Sequence, residues 1–119
     1  MSHFRKILVW QKSILLVTKV YKVTRTFPKE ETFGLTSQIR RSSVSIPSNI
    51  AEGSGRESNK DFLRFLYISL GSLFEMQTQL EIAKNIIYIN EEEFNLLYED
   101  SREIERMLAS LIKKLKDTI

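Results

Sequence analysis

The residues able to perform covalent or acid–base chemistry are few in this 119-residue chain. It has one histidine, His3, and no cysteine, so there is little material for a nucleophile activated by an imidazole or for a reactive thiolate. A di-iron site of the helix-bundle type needs Glu-x-x-His pairs, and neither Glu52 nor Glu75 has a histidine three residues later. The Gly-Ser-Gly run at residues 53–55 is too short to cradle a phosphate. We therefore expect a protein without enzymatic activity, cofactor or metal.

Binding chemistry is better represented, because positive charge is concentrated in one half of the chain. Residues 1–60 hold 11 Lys and Arg against 4 Asp and Glu, whereas residues 61–119 hold 7 against 11. A basic surface can face phosphates. It can equally face the acidic half of a second copy, or simply be solvated. The candidate phosphate contacts are Arg40, Arg41, Arg56, Lys60 and Arg64.

A stripe of polar side chains follows helical spacing through the middle of the chain. Arg41, Ser45, Asn49, Glu52 and Arg56 are each separated by three or four residues, so they share one face of a helix. The stripe is compatible with a solvated face carrying a Glu52–Arg56 ion pair. It is also compatible with a buried polar network that fixes one subunit against the next.

Small residues near this stripe indicate that another backbone approaches closely. Ser42, Ser43 and Gly53 leave little side-chain bulk, and Ser69, Gly71 and Ser72 form a matching notch farther along. The sequence leaves open whether the close packing is within one bundle or between copies. The candidate oligomer interface comprises Ser45, Pro47, Asn49, Glu52, Gly53, Arg56, Gly71, Ser72 and Glu75.

The elements that position these residues are predicted to be four helices, because apolar residues recur every three or four positions. The first runs from about Arg5 to Phe27, where Pro28 ends it. The second begins near Leu35 or Thr36 and ends between Gly53 and Glu57, with Pro47 in its interior predicting a kink.

The third and fourth helices carry the clearest start and stop signals. Ser58 or Asn59 can cap the third helix, whose apolar stripe runs from Phe62 to Ile87. The fourth follows a turn near Asn90, with glutamates in its first turn and lysines in its last, as the helix dipole favours. Short connections make neighbouring helices antiparallel. The prediction is an all-α, up-down-up-down four-helix bundle with a kinked second helix, formed by residues 1–119 as one domain.

The compartment is expected to be the cytoplasm. The longest apolar run is four residues, Ile14 to Val17, far short of a membrane span. The N-terminal apolar run is interrupted by Gln11 and Lys12 and is not followed by a small-residue cleavage site, which argues against a secretory signal.

The runs LTSQIRRSSVSIPSNIAEGSGRES and FLRFLYISLGSLFEMQTQLEIA together resemble a known bacterial family. This is the four-helix-bundle family of 23S rRNA intervening-sequence proteins, related to the accessory variability determinant proteins of diversity-generating retroelements. The segments VWQK, VYKVT, FPKEETFGL and MLASLIKKLK match it too, so the resemblance covers nearly the whole chain. Ser42 and Ser69 depart from it, since alanine is common at both positions. The family name reflects a genomic location, which does not establish membership of the ribosome.

The resemblance implies a four-helix protomer that assembles into a homopentameric barrel, and its retroelement relatives bind a reverse transcriptase and nucleic acid. Two functional hypotheses follow. One is an oligomeric accessory factor that binds RNA or DNA. The other is a structural or protein-interaction scaffold, docking a reverse transcriptase or another protein, without direct nucleic-acid binding. Salt separates them, because phosphate binding weakens steeply as salt rises.

Overall fold

Four long helices account for most of the chain in the computed structural model, which describes residues 3–119. They are α1 (Leu8–Thr24), α2 (Leu35–Ser54), α3 (Asn59–Asn85) and α4 (Glu91–Lys116). Two short 3-10 helices, His3–Lys6 and Lys29–Glu31, precede α1 and α2. No strand occurs between residues 3 and 119, so the all-α prediction is confirmed.

The predicted starts of α3 and α4 are confirmed, and each has a side-chain cap. Ser58 Oγ accepts a hydrogen bond from the backbone N–H of Asp61 at 3.1 Å. Asn90 and Glu93 form a reciprocal capping box, with Asn90 Oδ1 accepting from the Glu93 N–H at 2.7 Å and Glu93 accepting from the Asn90 N–H. These bonds satisfy backbone donors that a helix start leaves without partners.

The first helix is shorter than the sequence pattern indicates. Ile7 has extended backbone angles, which separates the 3-10 helix at residues 3–6 from α1. The helix stops at Thr24, and the Phe27 N–H then donates to the Thr24 carbonyl across a turn at 3.1 Å. By contrast, α2 runs from Leu35 to Ser54 with a buried Pro47 inside it. The kink at Pro47 stays a prediction.

The connectivity is up-down-up-down. Along α1 and α4, Lys12 and Lys19 pair with Glu103 and Asp100, so chain order reverses between the two helices. The same reversal holds for α2 against α3, where Ser42 bonds Gln79. Each helix packs against two neighbours in the cyclic order α1, α2, α3, α4, with α1 diagonal to α3 and α2 diagonal to α4. This arrangement is the predicted four-helix bundle.

The core lies on the bundle axis and draws aliphatic side chains from all four helices. Its fully buried members include Leu16, Val20, Ile39, Ile46, Ile50, Leu66, Leu73, Met76, Leu80, Ile104 and Leu108. Burying each such side chain contributes about 1.5–3 kcal/mol before chain entropy is subtracted. Among the described helices, none has the length and hydrophobicity needed to cross a bilayer.

Candidate interaction surfaces

The small residues of α2 and most of those of α3 meet inside the chain. Ser72 Oγ donates to Ser45 Oγ at 2.8 Å, and Ser69 Oγ donates to the Ile46 carbonyl at 2.9 Å. A Cβ placed on Gly53 would lie 2.6 Å from the Cβ of Phe65. We call this contact the α2–α3 seam; it comprises Ser42, Ser45, Gly53, Ser69, Ser72 and Gln79. The sequence leaves open whether this close packing occurs within one bundle or between copies. At the positions of the seam it occurs within one bundle.

The polar stripe of α2 borders the seam and remains partly at the surface. Asn49 Nδ2 donates to the Ser45 carbonyl at 2.8 Å. Glu52 and Arg56 form the i,i+4 ion pair at 3.1 Å, with side chains 57% and 42% exposed. The pair that the solvated-face alternative requires is therefore present. A network joining this stripe to a second subunit stays a prediction, as does the use of Glu75, whose side chain is exposed.

The five candidate phosphate contacts fall into two groups. Arg40 and Arg41 lie in the second turn of α2, and Arg56 follows fifteen residues after Arg41, about 22 Å away at 1.5 Å per residue. Lys60 and Arg64 lie beside Arg56 in the first turns of α3. The structure therefore does not gather the five cations into one site.

Three of these cations already have partners within the chain. The Arg40 guanidinium lies 4.6 Å from the centre of the Tyr21 ring and donates to Thr24 Oγ1 at 2.9 Å. Arg56 and Arg64 both lie over the Phe65 ring, at 4.8 and 4.6 Å. Arg64 also pairs with Asp61 at 3.1 Å.

Arg41 and Lys60 differ from the other three candidates. Both side chains are exposed. In the part of the chain that the structure describes, neither forms an ion pair. These two are the candidates whose charge is available to a ligand.

Three further lysines lie near Lys60, although the sequence does not indicate them as phosphate contacts. Asn59 Nδ2 donates to Thr118 Oγ1 at 3.0 Å, which brings the end of α4 against the start of α3. From their positions in the last turn of α4, Lys113, Lys114 and Lys116 are expected only to complement the helix dipole. The signal for their position near Lys60 is the predicted antiparallel order of α3 and α4, which brings the last turn of α4 beside the first turn of α3. We call this region the basic end; it comprises Arg56, Lys60, Arg64, Lys113, Lys114 and Lys116.

The side of α3 that faces away from the core carries large apolar side chains. Tyr67 and Phe74 are each 45% exposed and Ile82 is 44% exposed. Gly71 lies between them, and a Cβ added there would meet no described atom within 4 Å. We call this row the outer stripe; it comprises Tyr67, Gly71, Phe74, Thr78 and Ile82. It borders a groove of about 390 Å³ between α3 and α4, to which Gln77, Glu81 and Tyr98 also contribute.

A second apolar groove, of about 350 Å³, lies between α1 and α2. Ile14, Val17, Val44 and Pro47 contribute to its walls. Trp10 and Phe4 also line it, and their ring centres lie 5.1 Å apart in an edge-on contact. Ile14 and Val44 are each 38% exposed. This groove and the outer stripe are the two main apolar regions on the sides of α2 and α3.

At the opposite end of the bundle from the basic end, one carboxylate links two connections. Glu31 accepts hydrogen bonds from the Leu35 N–H at 3.0 Å and from the Tyr88 hydroxyl at 2.8 Å. The Leu35 bond first, and then the Tyr88 bond, lower the pKa of Glu31. The same hydrogen bond raises the pKa of Tyr88, with smaller contributions from burial and from the charges of Glu31 and Glu30. The carboxylate therefore caps α2 and holds the α3–α4 turn against it.

Comparison with known proteins agrees with this geometry. The model of the 23S rRNA-intervening sequence protein family matches residues 5–110. A crystal structure from Bacteroides thetaiotaomicron, described as a protein of unknown function from the S23 ribosomal protein family, superposes with a TM-score of 0.82. It is 31% identical, and the match covers 89% of this chain and 96% of that one. No curated protein matches.

Among residues 4–119, no three aspartate or glutamate side chains are grouped so that they could hold a metal ion. The α2–α3 seam is internal to the bundle, whereas the outer stripe, the α1–α2 groove and the basic end lie at the surface. The fold, the near-complete match to the family and the match to the Bacteroides structure lead to one conclusion: the chain belongs to the 23S rRNA-intervening sequence protein family.

Proposed function

We propose that the protein is a non-enzymatic four-helix bundle that acts as a homo-oligomer, for which the family resemblance gives five copies. The observation that carries this proposal is the outer stripe. A monomeric bundle gains nothing from Tyr67, Phe74 and Ile82 at 44–45% exposure, and contiguous exposed apolar surface is typical of sites that contact other proteins.

Gly71 supports the same proposal. A glycine inside a helix costs about 1 kcal/mol relative to alanine. Nothing described within the chain requires a glycine at this position, because a side chain on residue 71 would extend into open space. A second copy that approaches the helix backbone at this point would give the glycine a function.

Light scattering on the purified protein tests the assembly. We expect a mass several times the 14.0 kDa of one chain. Phe74→Glu should reduce it to one chain, because a carboxylate in an apolar contact loses its hydration without gaining a partner. Leu96→Glu is the matched control. Leu96 is an exposed apolar residue one turn before Asp100, on the side of α4 that faces α1, and its replacement should leave the mass unchanged. A wild-type monomer would overturn the proposal.

The second candidate function is nucleic-acid association, which the basic end favours. Six Lys and Arg side chains lie there, and in a pentamer each would be repeated five times, so weak phosphate contacts would add through multivalency. This is the role that the resemblance to retroelement accessory proteins suggests, with a reverse transcriptase as a further candidate partner. A scaffold that docks proteins without binding nucleic acid is the alternative.

Titration with labelled RNA and DNA duplexes at about 50 and 200 mM salt separates these two candidates. Phosphate binding should weaken by several powers of ten over this range when six to ten contacts form, whereas docking on an apolar surface should change little. Lys60→Glu/Lys113→Glu should abolish binding. Lys29→Glu/Arg106→Glu, which changes the net charge equally but lies outside the basic end, should retain it. A correctly assembled protein that binds neither duplex would exclude nucleic-acid association and favour the scaffold that docks proteins.

A further inference from the structure

We infer that two rings of the protein stack end to end, through the end of the bundle that carries the α1–α2 and α3–α4 connections, and that each contact between copies is two-fold. This inference rests on the proposed self-assembly and adds to it a second contact, which the long sides of the bundle do not make. We call the surface the turn end; it comprises Lys22, Arg25, Phe33, Ile87, Glu91 and Glu92.

Two apolar side chains project from the turn end into solvent. Phe33, in the connection before α2, is 97% exposed, and Ile87, in the turn after α3, is 84% exposed. Among residues 4–119, no other large apolar side chain is as exposed as these two. Both lie on connections at the end of the bundle, so packing along the long sides leaves them in water. Grouped apolar exposure of this kind is typical of contact sites.

The backbone at Ile87 is strained in a way that keeps this side chain exposed. The helix α3 ends with the Tyr88 N–H donating to the Ala83 carbonyl at 2.9 Å and the Ile87 N–H donating to the Lys84 carbonyl at 3.0 Å. This is the Schellman pattern, in which the position of Ile87 is usually a glycine. Ile87 has a φ of 64°, which is unfavourable for a β-branched residue. An apolar side chain held in water at such a position points to a contact outside the single chain.

The two connections are fixed to each other, so the turn end is a preformed surface. The Tyr88 hydroxyl donates to Glu31 at 2.8 Å, and the Tyr88 ring centre lies 5.3 Å from that of Phe27. Phe33 follows Glu31 by two residues, and Ile87 immediately precedes Tyr88. Little ordering is therefore needed when the surface is covered.

Opposite charges lie at two neighbouring corners of the turn end. Lys22 and Arg25 are exposed where α1 ends. Glu91 and Glu92 are exposed in the first turn of α4, and α4 packs beside α1. Within the part of the chain that the structure describes, none of these four side chains forms an ion pair. Their charges are therefore available to a second copy.

A two-fold axis makes this surface complementary to itself. When two turn ends face each other across an axis that passes between α1 and α4 and between α2 and α3, the rotation exchanges α1 with α4 and α2 with α3. The basic corner of each copy then meets the acidic corner of the other, and Phe33 of each copy meets Ile87 of the other. Such a contact is isologous and closed, and its potentials are complementary. Stacking on the basic end of another copy would instead oppose the basic corner to lysines.

The size of the turn end explains why stacking depends on the ring. The bundle is 22 by 20 Å in cross-section, so one turn end covers about 440 Å², below the roughly 800 Å² per partner of a stable interface. The outer stripe runs along a long side, so copies that pack through it lie side by side, and cyclic symmetry directs all turn ends to one face of the ring. Five such contacts would cover about 2,000 Å² on each ring and would act together.

Light scattering at about 50 mM salt tests the apolar part of the contact. We expect the wild-type protein to have twice the mass of Phe33→Ser/Ile87→Gly, which should form single rings. Leu96→Ser is the matched control, because Leu96 is 64% exposed but lies on the side of α4 that faces α1. It should retain the wild-type mass. Urea unfolding in the Phe74→Glu background checks that the double variant is folded.

Charge exchange tests the pairing of the corners. Lys22→Glu/Arg25→Glu makes both corners acidic, and Glu91→Lys/Glu92→Lys makes both corners basic, so each variant alone should form single rings. Mixed in equal amounts, the two variants should regain the wild-type mass, because an acidic end then meets a basic end at every contact. A partner protein of another kind would not produce this recovery.

Each contrary result has a distinct meaning. A wild-type mass equal to that of Phe33→Ser/Ile87→Gly, and several times that of one chain, would reject stacking and leave the proposed function intact. A mass that rises with concentration beyond two rings would show open stacking and contradict the two-fold contact. Charge variants that do not regain the mass on mixing would reject the pairing of the corners. A wild-type monomer would remove both the inference and the proposed function.

Discussion

The α2–α3 seam and the outer stripe lie on two faces of the same helix and combine similar residue types, yet they have opposite surroundings. In the seam, Ser69 is fully buried and bonded to the Ile46 carbonyl, and Gly53 is pressed against Phe65. In the outer stripe, Gly71 faces open space between half-exposed aromatic rings. The comparison shows that a small residue beside an aromatic one indicates close packing without indicating which neighbour supplies it.

Adding bulk to each region should affect stability most strongly in the seam. Ser69→Leu has no room to extend, so α2 and α3 must separate, and we expect the free energy of unfolding to fall by about 1–3 kcal/mol or more. In the Phe74→Glu background, where no second copy covers the outer stripe, Thr78→Leu should leave the free energy of unfolding within about 0.5 kcal/mol of the Phe74→Glu parent. Urea unfolding of both variants at one protein concentration measures the difference. Equal losses would remove the distinction between the two regions.

A methyl group on Gly53 is a smaller version of the same change. Its Cβ would lie 2.6 Å from the Phe65 Cβ and 2.8 Å from a ring carbon of Phe62. Phe62 can rotate, whereas the Phe65 Cβ is fixed by the helix backbone. Gly53→Ala should therefore lower the free energy of unfolding by about 1–3 kcal/mol, as urea midpoints would show. An unchanged midpoint would mean that the seam is looser than its distances indicate.

The same methyl group on Gly71 should have the opposite sign. In the Phe74→Glu background, where no second copy covers the helix, Gly71→Ala should raise the free energy of unfolding by up to about 1 kcal/mol through helix propensity. In the otherwise wild-type chain it should weaken assembly, because the methyl group occupies the space left for the neighbour. Urea unfolding and the dissociation constant from light scattering measure the two effects. Stabilisation in both backgrounds would separate Gly71 from the interface.

The smallest expected effect is pH-dependent and lies away from both regions. Because the pKa of Glu31 is lowered in the folded state, its ionised form stabilises the fold above the ordinary pKa of a glutamate. That contribution is lost as pH falls through the lowered pKa. Glu31→Gln should therefore flatten the acid side of the stability profile without changing the seam or the outer stripe. Tyr88→Phe should move the Glu31 pKa, followed by NMR, part of the way back to its ordinary value; an unmoved pKa would contradict this assignment.

The fold was predictable because its determinants are local. Helical spacing, Pro28 after the first helix, Ser58 before α3 and Asn90 before α4 each act within a few residues, and they gave four helices in the correct order. The division at Ile7 was not predictable, since the apolar spacing continues through it.

The surfaces were less predictable because they depend on partners distant in sequence. The Tyr88 bond to Glu31 joins residues 57 apart, and Lys113 lies near Lys60 only once α4 has folded back. By sequence alone, Gly53 and Gly71 both indicate a close approach of another backbone. Only their neighbours in three dimensions distinguish the crowded Gly53 from the open Gly71. The charges of Arg40 and Arg56 were visible in the sequence, but their stacking on Tyr21 and Phe65 was not.

The seam also has a consequence for the order in which the chain folds. Its two helices are consecutive and joined by the short turn at residues 55–58, so their contact requires the closure of only a small loop. The pairing of α1 with α4 requires almost the entire chain to be in place. We expect the α2–α3 hairpin to form early, so that its amides around Ile46 and Ser69 become protected before those of α1 when hydrogen exchange is pulsed during refolding. Later protection there than in α1 would show that the chain closes from its ends.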